Sequence, residues 1–194
     1  MLIVTQTAML TNDCSTLKVR NRCRYWSQNM KKIGLISDTH GYLDPAVFKH
    51  FAGCDEIWHA GDIGTFEVID ALSDFKPVRA VYGNIDGTEF RKVYPEVQRF
   101  ELESVDVLMT HIGGKPGNYS NPVRAEFHKS APRLFICGHS HICLVQMDKK
   151  SGCLYMNPGA AGKHGFHKVK TLLRFVLDNG IIKDLQVIEI GPRA

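Results

Sequence analysis

The sequence has no long apolar run and no closely spaced pair of cysteines. None of its uninterrupted apolar stretches approaches the roughly 20 residues that span a bilayer, so we expect a soluble protein with no membrane partner. The six cysteines include no C-x-x-C pair, which disfavours a zinc–thiolate site or a redox pair. Reduced thiols of this kind are typical of a cytoplasmic protein.

The net positive charge is concentrated in the amino-terminal segment. The formal net charge is +4, but residues 1–29 hold four cations and one anion, and the other 165 residues carry a net +1. A near-neutral body lacks the basic surface that nucleic-acid binding needs, so we expect no nucleic-acid partner. Residues 1–29 also lack the apolar core of a secretory signal. We predict a non-catalytic leader or extension at 1–29 and one domain over 30–194.

The first half of the chain alternates strand-like runs with stretches of helical spacing. The strands are predicted at Lys32–Ser37, Glu56–His59 and Val78–Tyr82, and the helices at Pro45–Phe51 and Phe66–Phe75. Alternation of this kind is typical of right-handed βαβ units with a parallel sheet. The pattern therefore predicts an α/β protein.

The second half consists mainly of strand-like runs, with one helical stretch near Val123–Ser130. The predicted strands are Val97–Leu102, Val105–Thr110, Leu134–Cys137, Ile142–Met147, Cys153–Asn157, Thr171–Leu177 and Leu185–Ile190. Asp178-Asn179-Gly180 predicts a hairpin turn between the last two strands. We expect a second, largely antiparallel sheet packed on the first, with helices outside.

At five places an apolar run is followed immediately by polar residues whose side chains can bind metals. They are Asp38, His40, Asp62, Asn84, His111, His139 and His141. Because the carboxyl ends of strands in an open α/β sheet line one crevice, we expect these loops to converge there. A single histidine at a strand end is often structural, and the recurrence is what favours a shared site. Seven ligands exceed the four of a tetrahedral zinc and suit two ions bridged by a carboxylate, with Asp62 as the natural bridge.

The five motifs that carry these residues read SDTHG, HAGDI, YGNID, MTHIGG and CGHSH. In order and approximate spacing they resemble the signature blocks of the calcineurin-like metallophosphoesterase superfamily. The short chain is most similar to the small single-domain microbial phosphodiesterase branch of that superfamily. The resemblance extends over about residues 31–159 and implies a four-layer α/β/β/α sandwich of two mixed sheets with a dinuclear metal centre.

The resemblance also implies how the ligands divide between two metals. One metal would be held by Asp38, His40, Asp62 and His141, and the other by Asp62, Asn84, His111 and His139. The implied reaction is phosphodiester hydrolysis by a metal-bridging hydroxide, with Asp62, Asn84 and His139 acting through the metals. Since all ligand atoms are nitrogen or oxygen, we expect two divalent ions, manganese first, with nickel, iron, cobalt or zinc as alternatives.

One departure from the family pattern affects the predicted chemistry. Many members have a histidine directly after the asparagine ligand, whereas this sequence has Ile85, which cannot donate a proton. The small phosphodiesterase branch commonly lacks that histidine too. We expect slow turnover or a preference for good leaving groups, since a general acid contributes about 10²–10⁴-fold. Asp86 is predicted to orient His40 or His111, with a turn role or a catalytic acid role as alternatives.

Several further residues have weaker predictions. The segment MNPGAAG resembles the family's Asn-Pro-Gly loop near the site, so Lys163 and His164, which follow it, are predicted to bind substrate phosphate. His59, on the strand before Asp62, is predicted to support the core or the ligands. The remaining histidines, predicted to lie on the surface, are His50, His128 and His167.

Two functions of different classes follow from the resemblance. The first is a metal-dependent phosphodiesterase that hydrolyses a small or nucleotide-like phosphodiester, with a homo-oligomer left open. The second is a binding scaffold with weak or no catalysis, because a retromer subunit shares this fold. The complete set of His40, His139 and His141 favours the enzyme. A nuclease would need a basic groove, which the near-neutral body does not supply.

Overall fold

The strands form two five-stranded sheets and a two-stranded ribbon. The computed structural model describes residues 30–193, and the predicted leader at 1–29 lies outside them. In chain order the elements are β1 (Lys31–Ile36), α1 (Ala46–Phe51), β2 (Glu56–His59), α2 (Phe66–Phe75), β3 (Val78–Ala80), α3 (Thr88–Val93), β4 (Val97–Leu102), β5 (Val105–Thr110), β6 (Gly114–Lys115), β7 (Asn118–Tyr119), α4 (Asn121–Lys129), β8 (Leu134–Ile136), β9 (Cys143–Asp148), β10 (Cys153–Pro158), β11 (Val169–Asp178) and β12 (Ile181–Pro192).

The first sheet has the order β12-β11-β1-β2-β3 and combines two kinds of pairing. Strands β1, β2 and β3 are parallel, as the alternation of strands and helices predicts. Strand β11 is antiparallel to β1, and β12 is antiparallel to β11. Their connecting turn has Asn179 at a φ of 45° and Gly180 at 83°, which confirms the predicted hairpin.

The second sheet has the order β4-β5-β8-β10-β9 and is also mixed. Strand β8 is parallel to both β5 and β10, while β4 and β9 are antiparallel edge strands. The expectation of a largely antiparallel second sheet was therefore wrong. Helix α4 lies between β5 and β8 and supplies a crossover that parallel pairing requires, and β11 and β12 extend the first sheet instead.

Three apolar clusters separate four layers. The cluster between the two sheets includes Trp58, Ile136 and Phe175. A second cluster packs the first sheet against α1, α2 and α3, and a third packs the second sheet against α4. Neighbours such as Leu172 and Leu173 point into different clusters, which is the period of two expected of a strand. The predicted α/β/β/α sandwich of two mixed sheets is confirmed.

Helix α3 and the β6–β7 ribbon are short elements that the sequence pattern did not predict. Two-residue strands and a six-residue helix hold too little periodicity to be recognised. The four cysteines between residues 30 and 193 are free thiols. None of the helices in this range has the length and apolarity that crossing a bilayer requires.

Candidate metal centre

All seven candidate ligands lie in loops that directly follow parallel strands. Strands β1, β2 and β3 of the first sheet lead into the loops of Asp38, His40, Asp62 and Asn84, and β5 and β8 of the second lead into those of His111, His139 and His141. The loops meet at one end of the sandwich, where the side chains form two groups. We call them the first group (Asp38, His40, His141) and the second group (Asp62, His111, His139).

In the first group, one ligand atom from each residue lies within 4.8 Å of the others. The Nε2 atom of His141 is 3.1 Å from Asp38 Oδ1 and 3.3 Å from His40 Nε2. Asp38 is fully buried, and its Oδ2 accepts hydrogen bonds from the Ser37 hydroxyl (2.6 Å) and the His139 amide (3.1 Å). Its Oδ1 accepts none from the described residues. A buried carboxylate oxygen without a donor is costly, and a cation would satisfy it.

In the second group, the ring of His111 is fixed by a hydrogen bond to the backbone on the side away from the other ligands. His111 is buried, and its Nδ1–H donates to the Ala60 carbonyl over 2.8 Å. This bond fixes the tautomer and leaves Nε2 free to bind a metal. His111 Nε2 lies 3.2 Å from Asp62 Oδ1 and 3.1 Å from Asn84 Oδ1. Asn84 therefore joins the second group through the carbonyl oxygen of its amide.

Asp62, a member of the second group, also extends toward the first group. Its Oδ1 is 3.2 Å from His111 Nε2, and its Oδ2 is 3.7 Å from His40 Nε2. The Ile85 amide donates to Oδ1 over 3.1 Å and holds the carboxylate in place. A Cβ at Gly83 would collide with this carboxylate, so only glycine fits there. One oxygen of Asp62 thus faces each group.

The ligand loops have an unusual backbone. Nine non-glycine residues in the described chain have positive φ, and five of them are candidate ligands: Asp38 (56°), His40 (48°), Asp62 (53°), His139 (68°) and His141 (57°). The left-handed region is sparsely populated by residues with a Cβ and costs about 1–3 kcal/mol for each. Such strain clusters at functional sites, where it aims side chains inward.

Burial and the charges of the cluster shift the pKa values of its members. Burial alone would lower the pKa of His111, but the Asp62 hydrogen bond and the charge of Asp38 outweigh it and raise that pKa. Burial would raise the pKa of Asp62, but the contact with His111 lowers it. The pKa of His40 is lowered, mainly by burial, although Asp62 and Asp38 act in the opposite direction. The carboxylates and imidazoles of the cluster thus shift one another's pKa values, as charges in close contact do.

Asp86 makes different contacts from those expected. Its buried carboxylate accepts hydrogen bonds from the amides of Gly83 (2.7 Å), Gly64 (2.9 Å) and Ile63 (3.2 Å). It does not hydrogen-bond to His40 or His111 within the described chain, so the expected imidazole contact is corrected. Instead, Asp86 ties the loop of Asp62 to the loop of Asn84. Burying three amides there requires an acceptor with two oxygens.

His59 is fully buried beneath the ligand loops, as predicted for a core or supporting role. Its Nδ1 accepts from the Gly61 amide (3.2 Å), and its Nε2 lies 3.0 Å from the Thr39 hydroxyl, which donates to the Ile63 carbonyl. The proton therefore sits on Nε2, and the ring is neutral. Burial lowers the pKa of His59 to about 4.

The loop between β10 and β11 lies against the first group. The His164 ring centroid is 5.6 Å from that of His40, and the His167 ring centroid is 5.3 Å from that of His141. His167 is half-buried and bonds to the Gly162 carbonyl, so its predicted surface position is corrected. The spacing of two histidines in KHGFHK is the pattern that could have revealed it. Lys163 lies over the Tyr42 ring, 4.1 Å from Nζ to centroid.

Two other predicted surface histidines lie outside the site. His50 is partly buried on α1, and His128 is exposed on α4. Cys137, one residue before the loop of His139, is fully enclosed beside Tyr155. Burial raises the pKa of the Cys137 thiol to about 12, which makes it a packing residue.

The donor set fits two divalent cations. Each group supplies one carboxylate and two imidazoles, and Asn84 adds an amide oxygen. Cations would engage the unpartnered Asp38 Oδ1 and the Nε2 of His111, which faces the ligand oxygens of Asp62 and Asn84. No thiolate takes part among the described residues, which suits ions that prefer nitrogen and oxygen.

Known proteins resemble this chain in sequence and in fold. A family model described as the calcineurin-like phosphoesterase superfamily domain matches residues 30–180. A probable metallophosphoesterase of Methanocaldococcus jannaschii is 34% identical over 137 residues, 66% of this chain and 67% of that protein. The structure of a predicted phosphoesterase from Streptococcus pneumoniae aligns with a TM-score of 0.63 at 23% identity, covering 84% of this chain and 91% of that one. Vacuolar protein sorting 29 of Cryptosporidium parvum aligns with a TM-score of 0.59 at 17% identity, covering 84% and 100%.

The chain belongs to the calcineurin-like phosphoesterase superfamily, because the family model matches most of its length. The predicted family is therefore confirmed, and the two structural alignments show the same fold. The superfamily consists of metallophosphoesterases that use divalent metals. Membership supports a hydrolase that acts on phosphoric esters.

Proposed function

We propose that this protein is a phosphodiesterase that hydrolyses small or nucleotide-like phosphodiesters with two divalent ions, manganese first. The observation that carries the proposal is the position of Asp62, whose two carboxylate oxygens face the two groups. A shared carboxylate of this kind would bridge two ions. Nickel, iron, cobalt and zinc remain alternatives to manganese, because the nitrogen and oxygen donors accept each of them.

The residues around the two metal sites would have different roles in hydrolysis. Two bound ions would lower the pKa of a shared water and neutralise charge on the substrate phosphate. Asn84 offers a neutral oxygen, so it completes the second group without adding negative charge against the phosphate. His139 is the exposed member of that group, so an incoming substrate would reach it before Asp62 or His111. Asp86 holds the two loops together through their amides and does not touch the reacting atoms.

Ile85, the residue after Asn84, favours the interpretation that the substrate is a phosphodiester with a good leaving group. Ile85 is 47% exposed and cannot protonate a departing alkoxide. Hydrolysis then depends on a leaving group that is stable without a proton, such as a phenolate. A diester also brings one negative charge to the carboxylates of Asp38 and Asp62, whereas a monoester brings up to two.

The test uses the full-length protein stripped of metal and supplied with Mn²⁺, Ni²⁺ or Zn²⁺. We expect bis(p-nitrophenyl) phosphate to be hydrolysed faster than p-nitrophenyl phosphate, and only with metal. Asp62→Ala should reduce the rate at least about 1,000-fold, since metal ions contribute several kcal/mol to such reactions. Asp70→Ala, on the exposed side of α2, is the matched control. Hydrolysis without metal, or none with any of the three ions, would contradict the proposal.

A binding scaffold is the second candidate. Vacuolar protein sorting 29 of Cryptosporidium parvum shares the fold at a TM-score of 0.59. The complete ligand set favours the enzyme, because a scaffold needs no orphaned carboxylate oxygen at Asp38. Metal binding without any hydrolysis would favour the scaffold instead. A cytoplasmic location and the absence of nucleic-acid or membrane partners remain predictions, and homo-oligomer formation stays open.

A further inference from the structure

A cleft of about 210 Å³ opens beside the second group. Two candidate ligands, Asn84 and His111, line it together with Tyr82, Arg91 and Glu96. Its volume is below the roughly 300–1,000 Å³ of complete ligand pockets, so it fits one part of a substrate. We call it the Arg91 cleft. Whatever binds there lies next to the residues of the second group.

Arg91 is held in place but is not neutralised. It extends from helix α3, its Nε donates to the Asp86 carbonyl over 3.2 Å, and its guanidinium carbon lies 5.1 Å from the Tyr82 ring centroid. Within residues 30–193, no carboxylate lies within 4.0 Å of it, and its Nη atoms donate no hydrogen bond. A guanidinium stacked on a ring presents these N–H groups in a fixed plane.

Two other cations, one beside a larger cleft and one near the first group, are paired with carboxylates. A larger cleft of about 350 Å³ lies beside β3, but its Arg79 is paired with Glu56 over 2.8 Å. Near the first group, Lys170 is paired with Asp44 over 2.5 Å, and Lys163 lies over Tyr42. Of these four cations, Arg91 is the one that lines a cleft beside candidate metal ligands and has no carboxylate partner among residues 30–193.

We propose that the Arg91 cleft binds a second phosphate group of the substrate. The inference rests on the proposed function, which places the phosphate to be cleaved at the candidate metal ligands. It narrows the substrate class to phosphodiesters that carry another phosphate, such as nucleotides phosphorylated on both the 3′ and 5′ oxygens. A planar guanidinium with free N–H groups suits phosphate, which it binds through two parallel hydrogen bonds.

Glu96 provides a second test of the proposal, because its negative charge should act on a bound phosphate in the opposite sense to Arg91. Its carboxylate lines the same cleft and accepts a hydrogen bond from the Tyr82 hydroxyl over 3.1 Å. A negative charge there opposes a second phosphate. Removing the charge of Arg91 and removing that of Glu96 should therefore have opposite effects on the same substrate preference.

The experiment compares two substrates that differ by one phosphate, using the Mn²⁺-loaded full-length protein. They are the p-nitrophenyl ester of thymidine 5′-phosphate with and without a 3′-phosphate. We expect the wild type to prefer the 3′-phosphorylated ester in kcat/KM. Arg91→Gln should reduce that preference about three- to tenfold, the effect of an exposed charge-assisted hydrogen bond. Glu96→Gln should increase it.

Lys92→Gln is the matched control. Lys92 is on the same helix and pairs with Glu89 at the surface over 2.7 Å, so its removal should leave the preference unchanged. An unchanged preference in Arg91→Gln, with hydrolysis of both esters intact, would overturn the cleft assignment and leave the proposed function standing. A larger preference in Arg91→Gln together with a smaller one in Glu96→Gln, the reverse of the expected shifts, would show that the cleft prefers a cationic group and would also overturn the assignment.

A binding measurement separates failure of the site from failure of catalysis. Calorimetry with thymidine 3′,5′-bisphosphate and thymidine 5′-phosphate needs no turnover. If neither ester is hydrolysed but Arg91→Gln weakens bisphosphate binding more than monophosphate binding, the cleft assignment holds and the proposed hydrolysis fails. Equal binding of the two nucleotides to the wild type would overturn the cleft assignment.

Discussion

The two candidate metal-binding groups differ in one hydrogen bond: within residues 30–193, only the second group has a histidine ring bonded to the backbone. In the second group, His111 is 2% exposed and its Nδ1 is bonded to the Ala60 carbonyl. In the first group, the Nδ1 of His141 is buried with no partner among residues 30–193, and the only hydrogen bond of the His40 ring in that range is to the His141 ring. A ring fixed before metal arrives loses less orientational freedom on binding.

The two groups also differ in what surrounds them. The first group is flanked by His164 and His167 on the β10–β11 loop, while the second opens on the Arg91 cleft. Outer hydrogen bonds to metal-binding histidines contribute about 10–100-fold in metal affinity. The second group is therefore expected to hold its ion more tightly and to face the substrate, and the first to hold the more exchangeable ion.

The largest expected effect is the loss of the tight site. Titration of the metal-free protein with Mn²⁺ should reveal two affinities, the stronger from the second group. His111→Ala should remove the stronger one, by more than the roughly 10–100-fold that an outer-shell partner contributes. His141→Ala should remove only the weaker affinity. Calorimetry or electron paramagnetic resonance would measure both.

An exposed histidine provides the control for this titration. His128→Ala on α4 lies outside both groups and should leave both affinities as they are. Loss of the stronger affinity in His141→Ala, with the weaker one retained, would reverse the comparison between the groups.

A smaller effect involves His59, which lies beneath both groups and connects their loops. The folded state keeps His59 neutral down to a pKa of about 4, whereas an unfolded histidine titrates near pH 6.5. Between these values the unfolded chain binds more protons, so the free energy of unfolding falls as pH falls. The loss should reach up to about 3 kcal/mol from pH 6.5 to 4. Urea unfolding of the metal-free protein would measure it.

The comparison with a variant isolates this histidine from other titrating groups. His59→Gln should be less stable at pH 7.5 but should lose less stability on acidification than the wild type. His128→Gln, at an exposed position, should follow the wild type. Equal acid sensitivity of His59→Gln and the wild type would show that another group causes the pH dependence.

The ligand positions were predictable because each directly follows an apolar run. A strand end and its next residues are close in sequence, so the convergence of Asp38, Asp62 and His111 follows from topology alone. The partners of Asp86 and the position of His167 depend on how separate loops pack. No local pattern encodes which amides a carboxylate meets across 23 residues, as Asp86 does with Ile63.

The sheets also combine features that local sequence predicts with features that depend on packing between distant segments. The spacing of apolar residues predicted most strands correctly, because alternation is a local property of a half-buried strand. It did not predict that β11 pairs with β1, where Leu35 faces Leu173 across the antiparallel register. Pairing over such a distance is decided by the complete core, where Trp58, Phe175 and their neighbours exclude other arrangements.

The smallest expected effect concerns the backbone of the histidines themselves. His141 has a φ of 57°, whereas His111 is absent from the positive-φ residues of the described chain. Glycine tolerates this conformation and alanine does not, so the metal-free His141→Gly variant should be more stable than His141→Ala by about 1 kcal/mol. At His111 the order should reverse, because alanine restricts the unfolded chain more than glycine does. Urea unfolding of the four variants measures both differences, and the same order at both positions would rule out strain as a distinction between the groups.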